Sequence, residues 1–269
     1  MSSEFIFDRE HARQFVTARQ DFLQPILHDL RAKLQLESAA DVGCGVGYFS
    51  EFLNRLGFHV VGLDGRLGNV EEARRRHPNL VFKHSNVEDT SIAESYDLVL
   101  CLGLLYHLEN PVLALRNLSK MTGKLLLIES YATPQRQTAL YLREEAPFED
   151  QSLTSLALYP SWATLVKICY RVGFCAVYGF RSQPQHEDFR DHRWRKRQRR
   201  IFLASRTPLD LPYLTCISEP QDLSDPWQTA SGGIIGLLGR IKRRMTTALI
   251  GNPSEVTRVA RDKVVRHDF

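Results

Sequence analysis

Ala39-Ala40-Asp41-Val42-Gly43-Cys44-Gly45-Val46-Gly47-Tyr48-Phe49 decides the fold. A short apolar strand runs into a glycine turn, and a helix opens directly after it. Residues 50–57 continue that helix, with Phe49, Phe52, Leu53 and Leu56 at helical spacing. Residues 59–63 form a second apolar run, closed by Asp64. Strand, turn, helix, strand and acid together make the first half of a nucleotide-binding α/β sheet. Gly43 and Gly45 let the backbone turn without a Cβ clash, and Gly47 lets a ligand or the helix approach closely. Amides at the start of the helix face a bound anionic group. Asp64 lies roughly 20 residues beyond the turn, where a carboxylate accepts hydrogen bonds from both ribose hydroxyls.

The same rhythm continues outward. Residues 80–84 read as a third strand, followed by Ser85-Asn86-Val87, and residues 96–103 as a fourth, apolar enough for the middle of a sheet. Asn110 is a good helix cap and Pro111 a good first helical residue, which leaves Tyr106 and His107 on a loop at the carboxyl end of a central strand. Ligands collect at that edge. Residues 124–129, 174–180 and 199–205 supply three further strands, and Ser161 caps a helix over 162–172. Upstream, residues 7–34 carry a helical repeat in which Pro25 separates two helices or marks the first turn of the second. Residues 130–159 break the pattern. An insertion at the ligand edge is where substrate choice is made, and Arg136, Tyr141, Arg143, Glu144 and Glu145 are its candidate contacts.

The bulk numbers exclude several classes. A chain of 269 residues, 43% hydrophobic, builds a full core without a disulfide scaffold, and its net charge of +4 does not by itself imply nucleic acid. Cys44, Cys101, Cys169, Cys175 and Cys216 are odd in number and contain no C-x-x-C pair, which fits reduced thiols in a cytoplasmic protein with no metal site. Neither a signal-peptide pattern nor a membrane-spanning run is present in the sequence.

Asp41-x-Gly43-x-Gly45-x-Gly47 differs from the G-x-G-x-x-G of nicotinamide and flavin enzymes. Its acid before the first glycine suits an ammonium group better than a pyrophosphate. The stretch resembles motif I of the class I S-adenosylmethionine-dependent methyltransferases, a resemblance that covers roughly residues 38–206. It implies S-adenosylmethionine as cofactor and a Rossmann-like, doubly wound, mostly parallel α/β sheet of seven strands with an antiparallel last strand. N-terminal helices (1–37) would precede this domain (38–206), and a C-terminal extension (207–269), proline-rich at its start, would follow. The resemblance also implies that Asp41 and the turn hold the amino acid end, and that Gly103 and Leu104 contact the methionine portion through their backbones. Asn86 and the Val87 backbone would recognise adenine. The family usually has an acid where Asn86 stands, but an Asn carbonyl oxygen also accepts.

The activity this implies is methyl transfer to an acceptor such as a small molecule, a sugar or a lipid-linked compound. Leu105-Tyr106-His107-x-x-x-Pro111 is similar to a branch containing tRNA wobble-uridine carboxymethyltransferases, so a tRNA-modifying transferase is the alternative. A SAM-binding protein without catalysis is the other. His107 is the candidate general base, since imidazole exchanges protons near neutral pH; the competing role is a loop histidine that shapes the site. Two basic stretches suggest partners. Residues 189–200 form a basic, aromatic hairpin that could hold the phosphates of RNA or another anionic ligand, or simply be a solvated tip. Residues 234–249 form a basic amphipathic helix, with Ile234, Leu238, Ile241, Met245 and Leu249 on one face, suited to a membrane surface, its own domain or a second copy.

Overall fold

The computed structural model describes residues 5–89, 94–134, 137–145, 151–190 and 197–221. Its centre is an eight-stranded sheet of β1 (Ser38–Val42), β2 (His59–Asp64), β3 (Val81–His84), β4 (Tyr96–Leu102), β5 (Thr122–Ala132), β8 (Ala176–Phe180), β9 (Gln198–Ser205) and β10 (Leu214–Ile217). The spatial order is β10-β8-β9-β5-β4-β1-β2-β3. Strands β1 to β5 pair in parallel, and β9 runs antiparallel between β5 and β8. The chain order reverses between β1 and β4, so a crevice opens beyond their carboxyl ends.

Helices α1 (Glu10–Leu34) and α2 (Tyr48–Arg55) cover one face of the sheet, and α4 (Pro111–Met121) and α5 (Trp162–Arg171) the other. Leu98, Leu100, Leu125 and Leu127 face the first layer, while Val99, Cys101, Leu126 and Ile128 face the second. Both faces of β4 and β5 are therefore buried, which is why these strands are apolar without alternation. Helix α3 (Leu67–Arg76) packs beside β2 and β3. The Asn110 side chain accepts from the Leu113 amide at 3.0 Å and Ser161 accepts from the Thr164 amide at 3.2 Å, so both expected caps are formed.

Three expectations change. Residues 10–34 are one helix, with Pro25 inside it. The proline costs the helix about 3 kcal/mol, but Leu23, Leu27 and Leu30 are wholly buried on the sheet, and each such side chain contributes about 1.5–3 kcal/mol. The sheet has eight strands rather than seven, because the proline-rich start of the extension after residue 206 supplies β10. The compact unit accordingly runs to Pro220. Within the insertion, β6 (Leu140–Glu144) and β7 (Leu156–Pro160) form a separate antiparallel pair. A second unit spans residues 221–269; the helix expected at 234–249 lies there, outside the described residues. Among the described residues, no helix is long and apolar enough to cross a membrane.

Candidate functional site

The crevice between β1 and β4 is lined by seven of the residues singled out from the sequence: Gly43, Asp64, Asn86, Val87, Gly103, Leu104 and His107. Asp64, at the end of β2, is largely buried. One carboxylate oxygen accepts from the Gly45 amide at 2.9 Å. The other accepts from the Arg66 amide at 2.8 Å and from Asn69 Nδ2 at 3.1 Å. Burial raises this carboxyl above its ordinary pKa, against the pull of the Arg66 and Gly45 amides. Three donors thus fix the orientation of one acid at the mouth of the glycine turn.

The turn itself is read differently by the structure. Gly43, Gly45 and Gly47 all have positive φ, at 76°, 55° and 91°. What comes close to Gly47 is protein: a Cβ there would lie 2.9 Å from both Phe82 and His77, so its bareness lets β3 and the end of α3 pack against the start of α2. Phe7 sits against Gly45 and lines the crevice. Asp41 does not line it. This carboxylate is 3% exposed and accepts from Ser50 Oγ at 2.7 Å.

Burial pushes the Asp41 carboxyl up to about 6, despite the Ser50 hydrogen bond and with the Asp64 charge adding to the rise. A folded-state value above the unfolded one means that ionisation opposes folding. The stability this confers is complete below the ordinary value of 3.8 and is lost as pH rises through about 6. Asp41→Asn has nothing to ionise. Its stability relative to wild type is expected to improve by about 3 kcal/mol between pH 4 and pH 8, read from urea unfolding at both values. Parallel pH profiles would contradict it.

Asn86 and Val87 follow β3. The Asn86 side-chain oxygen accepts from the Glu88 amide at 3.0 Å, and the Val87 carbonyl accepts from Asn117 Nδ2 at 2.9 Å. The Val87 N–H and the second lone pair of Asn86 are the groups left for a ligand edge. Across the crevice, His107 ends a short 3-10 turn, Leu105–His107. Its Nδ1 is hydrogen-bonded to Glu145. Glu145 also accepts from the Gln151 and Ser152 amides at 2.8 and 3.0 Å. Burial alone would raise the Glu145 carboxyl, but His107 and the two amides outweigh it and hold it below its ordinary value. Arg66 grips the same segment from the other side, through the Ser152 carbonyl at 2.6 Å and the Gln151 carbonyl at 3.3 Å. Residues 151–153 therefore roof the crevice. Of these partners the sequence had singled out only Glu145, as an insertion contact. Arg66, two residues after Asp64, was the visible signal that went unread.

A second charged cluster lies beyond Gly103. Glu129, fully buried in β5, accepts from Arg19 Nη1 at 3.0 Å and from Arg199 Nη1 at 2.6 Å. Arg199 also donates to the Tyr106 hydroxyl at 3.0 Å and stacks on Tyr131 at 3.8 Å. A Cβ on Gly103 would reach within 3.5 Å of Glu129 and 3.6 Å of the Tyr106 hydroxyl, so only bare backbone separates this cluster from the crevice. Arg199 and Phe189, counted with the basic hairpin, are therefore internal, Phe189 stacking on Phe15 at 5.7 Å. Residues 191–196 of that hairpin lie outside the described residues, as does Arg136.

Chemically, the crevice offers an oriented carboxylate, an amide edge and an imidazole held by a buried acid, with no group of three metal-type side chains among the described residues. The family described as "Methyltransferase domain" matches residues 40–124. The ubiquinone biosynthesis O-methyltransferase, mitochondrial, of Schizosaccharomyces pombe is 28% identical over 121 residues, covering 41% of this chain and 44% of that protein. The chain thus spans under half the length of this relative. Among solved structures, the N-terminal domain of EvdMO1 with SAH bound superposes with a TM-score of 0.59 at 17% identity, over 73% of this chain and 84% of that one. The magnesium protoporphyrin IX methyltransferase (ChlM) of Synechocystis PCC 6803 with bound SAM gives 0.51 at 21% identity, over 74% and 85%.

Proposed function

Because residues 40–124 are a methyltransferase domain on the fold of the class I S-adenosylmethionine-dependent methyltransferases, we propose that this chain methylates a hydroxyl group of a small-molecule acceptor. The observation that carries the reading is Asp64, held by three donors at the end of β2 and lining, with Asn86 and Gly103, the crevice that opens where the strand order reverses between β1 and β4. The residues fit the cofactor: the acid retains one lone pair, on the oxygen bonded to Gly45, for a ribose hydroxyl, and the glycine turn and Gly103 keep side chains out of the space between β1 and β4. The O-methyltransferase named among the relatives supports an oxygen acceptor.

S-adenosylmethionine supplies a methyl group on a positively charged sulfur that leaves readily. The protein's part is therefore positioning and exclusion of water. Asp64 would hold the ribose, and Asn86 with the Val87 N–H the adenine. The backbones of Gly43, Gly45, Gly103 and Leu104 would frame the amino acid end. Asp41 would act on its ammonium group as a charge behind the turn. Gln151 to Leu153, anchored by Glu145 and Arg66, would shut out solvent.

A hydroxyl must lose a proton as it attacks, and His107 is the base. With Nδ1 bonded to Glu145, Nε2 is the acceptor for that proton. Glu145 is a positioning residue. The test has two steps. S-adenosylhomocysteine should bind the purified protein by calorimetry, and cell extracts should accept a labelled methyl group. With that acceptor, His107→Ala and Glu145→Gln should lower kcat about a hundredfold while the KM for the cofactor holds. Full turnover by His107→Ala would remove it from the mechanism.

A further inference from the structure

Asp64 is 8% exposed, although a ribose has to reach its open lone pair. Two apolar side chains line the crevice beside it. Phe7 lies with the edge of its ring against Gly45, where a Cβ would be 3.0 Å away, and the Gly45 amide is one of the donors on Asp64. Leu153, from the roof, comes equally close to Gly65, the residue after the acid. Both side chains belong to segments added outside the sheet.

Those two segments are held very differently. The roof lies within a stretch joined to the domain at both ends, through β6 and β7, and Glu145 and Arg66 grip its backbone from either side. Phe7 belongs to a single 3-10 turn, Ile6–Asp8, with no buried residue. One exposed, extended residue, Arg9, joins that turn to α1. What fixes it is an ionic latch. The two Asp8 oxygens accept from Arg76 at 2.8 and 2.6 Å, and one of them also accepts from the Tyr48 hydroxyl at 2.7 Å. Arg76, at the end of α3, is oriented by Glu72 at 2.7 Å and lies over the Phe5 ring at 5.6 Å. Tyr48 opens α2 directly after the glycine turn. A guanidinium fork on a carboxylate is strong and directional, but these side chains are 23% and 19% exposed, so water can replace either partner.

We propose that residues 5–8 are a strap that opens to admit S-adenosylmethionine and shuts behind it, with Asp8 and Arg76 as the latch and Phe7 as the cover. Breaking the latch frees a turn that buries nothing and pivots at Arg9. Lifting the roof would instead break the Glu145 and Arg66 bonds and release His107 from its acid, so the strap is the part that moves. Closed, the Phe7 ring would keep water from the ribose on Asp64, where a hydrogen bond to the carboxylate gains from a lower dielectric. The proposal rests on the methyltransferase reading, and its test separates the two.

Arg76→Met removes the donors and leaves the sequence of the strap intact. In the free protein the Asp8 amide donates to the Phe5 carbonyl at 2.8 Å. Its hydrogen exchange should quicken about tenfold in this variant, the size of one charge-assisted hydrogen bond, while the amides of β4 and β5 keep their rates. S-adenosylhomocysteine should slow that exchange in wild type. By surface plasmon resonance it should leave Arg76→Met about tenfold faster than wild type and enter no more slowly. Asp8→Asn should release it at the same raised rate, and serves alone should Arg76→Met not fold. Failure of wild type to bind S-adenosylhomocysteine would count against the methyltransferase reading, and the latch would still be judged by exchange in the free protein. Unchanged exchange in Arg76→Met, or unchanged release by the variants of a wild type that binds, would overturn the strap.

Discussion

Asp64→Ala is expected to weaken S-adenosylhomocysteine binding about ten- to a hundredfold, measured by calorimetry at neutral pH. A ribose hydroxyl donating to the one open lone pair of this oriented carboxylate is worth about 1.5–3 kcal/mol, and every 1.4 kcal/mol is about tenfold in affinity. The protein supplies the orientation in advance. Gly45, Arg66 and Asn69 hold the carboxylate before any ligand arrives, so little is lost to ordering on binding. Asp64→Asn should fall between wild type and alanine, because an amide offers one acceptor oxygen without charge. A change of less than threefold in Asp64→Ala would remove the ribose from this position.

The second large effect is on stability. Glu129→Ala should destabilise the domain by about 3–5 kcal/mol, a major share of the roughly 5–15 kcal/mol that holds a domain folded. The reason is what remains. Arg19 and Arg199 are 7% and 6% exposed, and both would stay buried without their shared carboxylate. Glu129→Gln should cost less, since it keeps the shape and an acceptor. Replacing all three charged residues by apolar ones of similar size should come out near neutral, as buried ion pairs often do. That contrast, read from urea midpoints with unchanged slopes, would say that the cluster is retained for its position beneath Gly103 rather than for stability. A loss below 1 kcal/mol in Glu129→Ala would contradict the burial argument.

The parts of the site legible in the sequence are those whose chemistry acts over a few residues. Glycines with positive φ, an acid closing an apolar run, and Asn110 followed by Pro111 each impose a local conformation wherever they stand. They located β1, β2, the glycine turn, Asp64 and the start of α4. The misreadings share another cause. Pro25 signals a break, yet α1 continues because the sheet face beneath it rewards unbroken contact. Leu214–Ile217 lies between Pro212 and Pro220, yet it forms β10 because β8 offers an open edge to pair with. Gly47 reads as room for a ligand or the helix, and the groups that come close to it are the side chains of Phe82 and His77.

Residue by residue, then, the amino-acid sequence determined the nucleotide-binding half of the sheet, the carboxylate that marks its ligand edge and the caps of its later helices. Only the tertiary structure decided that Glu145 would orient His107 from 38 residues away. It also decided that Glu129 would draw in Arg19 and Arg199 across separations of 110 and 70 residues, and that Arg143 and Arg197 would share Tyr159. Such pairings depend on loops being closed by the whole core, and a charge in a sequence carries no mark of the distant charge it will meet.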